Sequence, residues 1–311
     1  MEDLHFFRVH TGEEVPGSDY WVTRPASIGH PKDGAVMFLT EGHPEWRGVF
    51  ESVSGCLVFW PDVWEVPEAV SRRNAVFPCR NPHLEYCRFF QRHGITGLCM
   101  PGELCERNGS HIGKTAKIGE GTVIFPGCFI GGDVSIGEDC YIGPGVKILG
   151  RVRIGNRVWI RENTVIGMDG MTTDRDGEGH PVPMPQFGGV VIEDGVKIGA
   201  LAVIQRGAID DTVLHKGCKI DSLALISHNV SVGEESIVVG TAFLFGSAST
   251  GRQAQVSGGC MVGNYVRVGD RASLGMGSVA TKDIPDGWIA YGVPARPVRQ
   301  DALDPERGSI F

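Results

Sequence analysis

The 311-residue chain carries 29 Lys and Arg against 37 Asp and Glu, a formal charge of −8, with 41% hydrophobic residues. That balance supplies a core and excludes a disordered chain, and with no basic block it makes nucleic acid a poor partner. No apolar run reaches the ~18 residues of a spanning helix, and the first twenty residues lack a secretion signal's apolar stretch, so a cytoplasmic protein without a membrane span is expected.

Nine cysteines without a C-x-x-C pair read as free thiols in a reducing compartment. Residues 1–93 hold four of the six tryptophans and show no repeat. Candidate strands at 35–40, 55–60 and 74–78 and a candidate helix at 82–92 predict a small α/β domain, with 94–108 as a junction.

From Ile112 the chain changes character. Isoleucine recurs every six residues through Ile118, Ile124 and onward to Ile166, and glycine follows it in seven of ten units. Two positions before each isoleucine stands a small or β-branched residue, such as Ser110, Cys128 or Val146. Neither a helix nor an alternating strand has a period of six. One short strand plus a corner does, with glycine expected to supply the unusual backbone of the turn. Three such sides make an 18-residue triangular coil, and stacked coils pair at ~4.8 Å around one core. The expectation is therefore a mainly β chain: a parallel β-helix of roughly nine coils over residues 109–285, preceded by the α/β domain and followed by a tail, 286–311.

The phase breaks after Ile166, where residues 168–189 are rich in Gly, Pro and Asp and predict a loop extruded from one corner. It resumes at Ile192, Ile198 and Ile204, slips through Ile209, and runs on from Leu214 with only Thr250 departing from the aliphatic series.

The run from Gln205 to Val213, then Lys219-Ile-Asp221 and Ile226-Ser-His228-Asn-Val, resembles the UDP-3-O-acylglucosamine N-acyltransferase family of lipid A biosynthesis. In the N-terminal domain, Gly34–Leu39 and Asn81–Tyr86 resemble its uridine-binding domain more weakly. The resemblance implies a left-handed coil, a homotrimer, and acyl transfer between neighbouring β-helices. The co-substrate would be a phosphopantetheine thioester, acyl-CoA or acyl carrier protein, with no permanently bound cofactor and no metal, and the acceptor the amine of a nucleotide-linked amino sugar.

By the same resemblance His228 matches the general base, Asp221 the acid supporting it, Gly246 the backbone donor to the oxyanion, and Met276 the end of the acyl pocket. Spacing is compatible, since Gly246 lies one coil of 18 residues after His228. Tyr265 stands where the family has a second histidine, and Ser222 where it has an asparagine. The uracil-stacking pair maps to Phe38 and Trp46, with about two extra residues between them and no matching asparagine. The short tail lacks the family's apolar helices. These departures leave the nucleotide, donor and acyl length open.

Other readings weigh less. Asp210-Asp211 as a metal site competes with carboxylates capping an irregular corner, which is favoured. A zinc site of His180, His215 and His228 has no familiar spacing. Fold alone does not fix function. An acetyl-CoA-dependent sugar acetyltransferase, suggested by Tyr291-Gly-Val-Pro-Ala-Arg, and a scaffold without catalysis remain the alternatives.

Overall fold

The computed structural model describes residues 7–9, 20–22, 24–41, 44–98 and 100–300. They form two units, Met1–Gly97 with Met171–Phe187, and Leu98–Gly170 with Gly188–Phe311. Among the described residues no helix is long and apolar enough to cross a membrane.

The first unit contains a parallel sheet of Arg24–Pro25, Ala35–Phe38, Leu57–Pro61 and Ala75–Cys79 in sequential order. Helix Pro82–Arg92 starts as its sequence dictates, with the Asn81 side chain accepting the Leu84 N–H and Pro82 in the first turn. The segment expected as a plain loop carries an antiparallel hairpin, Thr173–Arg175 with Pro181–Pro183. Within this unit Asp174 ties the hairpin to the helix, receiving His83 Nδ1 at 2.8 Å and Asn81 Nδ2 at 3.2 Å. Those polar anchors lie more than ninety residues apart in sequence, which hides them from a local pattern.

The second unit is a left-handed parallel β-helix. Its three sheets follow one another around each coil and are termed here the first, second and third face. In one coil they are Lys219–Ile220, Leu225–Ile226 and Ser231–Val232. The second face has ten strands, of which Leu104–Arg107 is antiparallel, leaving nine parallel rungs. Isoleucine stacks on isoleucine in register, as in Ile142 on Ile124 and Ile160 on Ile142. Ile130, Ile142, Ile148 and Ile160 are fully buried. Each such side chain contributes about 1.5–3 kcal/mol by leaving water.

The position two before the isoleucine has its own logic. Ser110 Oγ donates to the Phe125 carbonyl and accepts the Cys128 N–H, and Thr122 does the same with Gly137 and Cys140. Cys128, Cys140 and Cys260 direct their thiols at the equivalent carbonyls. These interior donors satisfy corner backbone groups that would otherwise be buried without partners. Burial pushes the Cys218 thiol up to about 12, so it is a packing residue and no nucleophile. Thr250, the one break in the aliphatic series, accepts the Gly233 N–H through Oγ1.

The reason expected for the repeated glycine needs correction. Positive φ falls three residues after the isoleucine, at Asn163, Leu223, Asn229 and Ser247 for example, where many residue types accept it. The glycine directly after the isoleucine in most units answers close approach instead; Gly167, with φ +83°, and Gly131, where a Cβ would meet nothing nearer than 3.6 Å, are the exceptions. A Cβ on Gly143 would lie 3.1 Å from the Glu162 nitrogen of the next coil, and one on Gly119 would run into the Gly137 backbone.

The solenoid also runs past its expected end at residue 285. Strand Trp288–Gly292 pairs in parallel with Ser273–Leu274 and returns antiparallel as Ala295–Gln300. Buried Ala290 and Ala295 fill the interior there, too small to register in an aliphatic count. Of the expected tail, residues 301–311 lie outside the described residues.

Candidate active site

Both interruptions of the repeat fall at the corner between the second and third faces. Ile166 to Ile192 spans 26 residues, six plus an insertion of 20, and Ile204 to Leu214 spans ten, six plus four. The next coil places His228 at that same corner, on top of the two irregular turns. A repeat of uniform coils has no concavity, so the place where it is broken twice in succession is the place to look for a site.

His228 is half-buried. Its ring occupies a slot between two glycines. A Cβ on Gly170 would lie 2.9 Å from the ring Cδ2, and one on Gly246 would lie 2.6 Å from Nε2. Neither glycine has positive φ; each is required by the imidazole that passes over it. The Gly246 N–H finds no acceptor among the described residues, while its carbonyl takes the Tyr265 N–H at 3.2 Å. An N–H without an internal acceptor next to an imidazole is what a tetrahedral oxyanion needs.

The walls of the corner are polar and well tied. Ser227 Oγ donates to Gln205 Oε1 at 2.7 Å, and Arg206, only 2% exposed, donates through Nε to Asp169 at 2.7 Å. Asp211 receives Arg151 through both carboxylate oxygens and the Gly189 N–H at 2.7 Å. It thereby clamps the chain where it re-enters the solenoid after the insertion. His215 directs Nδ1 to Glu193 at 3.1 Å and Nε2 to Ser231 at 3.2 Å, so both ring nitrogens are engaged away from His228. Among the described residues no group of three His, Cys, Asp or Glu side chains is arranged to hold a metal ion.

The remaining candidates divide between two corners. Tyr265, 76% exposed, stands on the His228 corner one turn beyond Gly246. Asp221, Ser222 and Met276 stand on the other corner, between the first and second faces. There Asp221 accepts the Ser222 N–H at 2.7 Å and the Gly240 N–H at 3.1 Å, and Ser222 Oγ accepts the Ala200 N–H. Ser222, Gly240, Gly258 and Met276 follow at intervals of 18, so a column of small residues leads to Met276, which is 77% exposed. Asp221 and His228 thus occupy the two ends of the same second-face strand.

That face differs from the third on its outside. Val165, Val203, Leu225, Phe243, Met261 and Val279 lie in register along it, all outward. In the N-terminal unit, Phe38 packs between His83 and Tyr86, with ring centroids 5.1 and 4.8 Å away. Trp46 packs instead against the layer of Ala35, Met37 and Leu39, on the other side of that strand. Gly170 and Asn229 belong to the site but escape sequence reasoning. Gly170 hides among many loop glycines; Asn229 adjoins His228, and its neighbour was the only signal.

A β-helix of six-residue units with such a corner defines a class, the bacterial hexapeptide-repeat transferases. Residues 115–150 and 133–167 match the bacterial transferase hexapeptide (six repeats) family. The UDP-3-O-acylglucosamine N-acyltransferase of Methylobacillus flagellatus is 33% identical over 284 residues, 88% of this chain and 80% of that protein. The chain belongs to the UDP-3-O-acylglucosamine N-acyltransferase family. The enzyme of the same name from Methylobacterium nodulans is 39% identical over 145 residues, 47% of this chain and 41% of its own length; that match spans about two fifths of the relative. Among solved structures, the UDP-N-acetylglucosamine acyltransferases of Campylobacter jejuni and Francisella novicida share the fold. Each has a TM-score of 0.59 over 65% of this chain, at 22% and 24% identity, covering 77% and 72% of those chains.

Proposed function

We propose that the protein transfers an acyl group from a phosphopantetheine thioester to the amine of a nucleotide-linked amino sugar, in the cytoplasmic assembly of lipid A or a related surface glycan. The observation that carries this reading is the pairing of His228 with the unoccupied Gly246 N–H, on a chain of this family. His228 Nε2 takes a proton from the amine as its nitrogen attacks the thioester carbonyl. The Gly246 N–H holds the negative oxygen of the tetrahedral intermediate. Collapse breaks the carbon–sulfur bond, the amide remains on the sugar, and the thiolate leaves with the proton as a thiol.

The working form is a homotrimer. The outward apolar stripe of the second face supports it, because soluble monomers rarely leave such a patch in water. Packing of copies around a threefold axis through this face would bring the Asp221 corner of one protomer toward the His228 corner of its neighbour. Asp221 would then support the base across the interface, and the column from Ser222 to Met276 would line the arm of the donor.

The test is intact-mass detection of acylated product from UDP-3-O-acylglucosamine, offered acyl-CoA and acyl carrier protein thioesters separately. Product with wild type and none with His228→Ala is expected. Acetyl transfer to a free sugar would favour the acetyltransferase alternative, and no product from any thioester would favour a scaffold.

A further inference from the structure

We propose that Asn229 is the positioning residue for His228, fixing its imidazole in the tautomer with hydrogen on Nδ1 and so leaving Nε2 bare as the acceptor of the amine proton. The inference rests on the reading of His228 as the base, and goes beyond it by naming what sets its protonation pattern.

The Asn229 amide is held by the second interruption of the repeat. Asn229 Oδ1 accepts the backbone N–H of Ala208 at 3.0 Å, and Asn229 Nδ2 donates to the backbone carbonyl of Asp210 at 3.0 Å. A peptide N–H only donates and a peptide carbonyl only accepts, so these two bonds leave the amide one orientation. Its backbone is held as well, since the Asn229 N–H donates to Thr212 Oγ1 at 2.9 Å. The residue has φ +60°, a conformation that asparagine tolerates better than most.

The atom so fixed faces the catalytic ring. Asn229 Oδ1 lies 3.1 Å from His228 Nδ1. Because Oδ1 can only accept, Nδ1 must carry the hydrogen in neutral imidazole, and the lone pair is on Nε2, the nitrogen beside Gly246. Ala208 and Asp210 both come from the four-residue slip between Ile204 and Leu214. Gly207 permits the approach, since a Cβ on it would stand 3.1 Å from Asn229 Nδ2. The slip therefore has a use: it presents one donor and one acceptor that orient an amide, and the amide orients the base. Within one protomer this role does not fall to Asp221, whose carboxylate receives the Ser222 and Gly240 N–H groups at the other corner.

The experiment is ¹⁵N NMR of the sedimented full-length protein labelled at histidine, with His228 assigned by subtraction of the His228→Gln spectrum. At a pH where the imidazole is neutral, a protonated Nδ1 and a bare Nε2 are expected. Asn229→Gly, which suits the positive φ, should release the ring to a mixture of tautomers and lower kcat about ten- to a hundredfold with little change in KM for the sugar. Asn229→Asp keeps an acceptor and should keep the Nδ1–H form. Hydrogen on Nε2 in the wild type overturns the proposal, as does an unchanged tautomer in Asn229→Gly; the wild-type and Asn229→Asp spectra decide it if the glycine variant does not fold. Wild-type turnover in His228→Ala would sink the base reading by itself, and the tautomer would still be legible.

Discussion

The second and third faces of the β-helix are made from the same repeat and bury the same kinds of side chain, yet their outer surfaces differ. The second presents an unbroken apolar line from Val165 to Val279. The third mixes Ser135, Arg153, Val213, Ser231, Ser249 and Arg267. Interior positions answer to one requirement, filling a triangular core, so they repeat. Outward positions answer to whatever each face meets, so they diverge. The candidate chemistry follows that divergence, since His228, Gly246, Asp221 and Met276 all border the second face.

The largest test of this contrast is chemical. His228→Ala should cost on the order of 10²–10⁴ in turnover while assembly and melting temperature stay close to wild type, because the residue lies outside the core. Near-normal turnover would detach the chemistry from this corner.

Gly246→Ala comes next, at about a hundredfold, the usual effect of displacing a reacting group by roughly 1 Å. The new methyl group would occupy the space of the imidazole. Its cost in stability should vanish in a His228→Ala background, and a double-mutant cycle without such coupling would show that the glycine serves another purpose.

The faces themselves are compared by Phe243→Asp and Val213→Asp, measured by light scattering against concentration. A charge on the second face should weaken assembly by about thirtyfold, corresponding to ~2 kcal/mol at an interface anchor; the same change on the third face should leave assembly unchanged. Equal effects would erase the distinction.

Smallest is Met276→Gly, expected to shift preference toward longer acyl chains by about fourfold per added CH₂, from ~0.8 kcal/mol of burial. An unchanged chain-length profile would leave Met276 as an exposed side chain without a role in selectivity.

The architecture was legible because its cause is periodic. The six-residue series from Ile112 through Leu274 counted the coils, and the candidate helix at 82–92 carried its cap in Asn81 and Pro82. The purpose of the glycines was not legible, because a period reports where a residue recurs and not which neighbour crowds it. Gly143 makes way for a coil 18 residues on, while Asn229 and Tyr265 hold the positive φ. The hairpin of residues 173–183 shows in the sequence only as a loop, because its strands are three residues long, the second begins and ends in proline, and its anchors, His83 and Asn81, are remote.

By itself the sequence determined the repeat, the buried series and the positions where the phase fails, since each depends on residues at most a few places apart. Only the tertiary structure decided that both failures share one corner, that Asp221 and His228 stand at opposite ends of one strand, and that Gly170, Ala208 and Asp210 close around His228 and Asn229. These relations join residues separated by up to 58 positions in the chain. Their physical basis is the stacking of coils ~4.8 Å apart, which makes neighbours of residues that no local pattern connects.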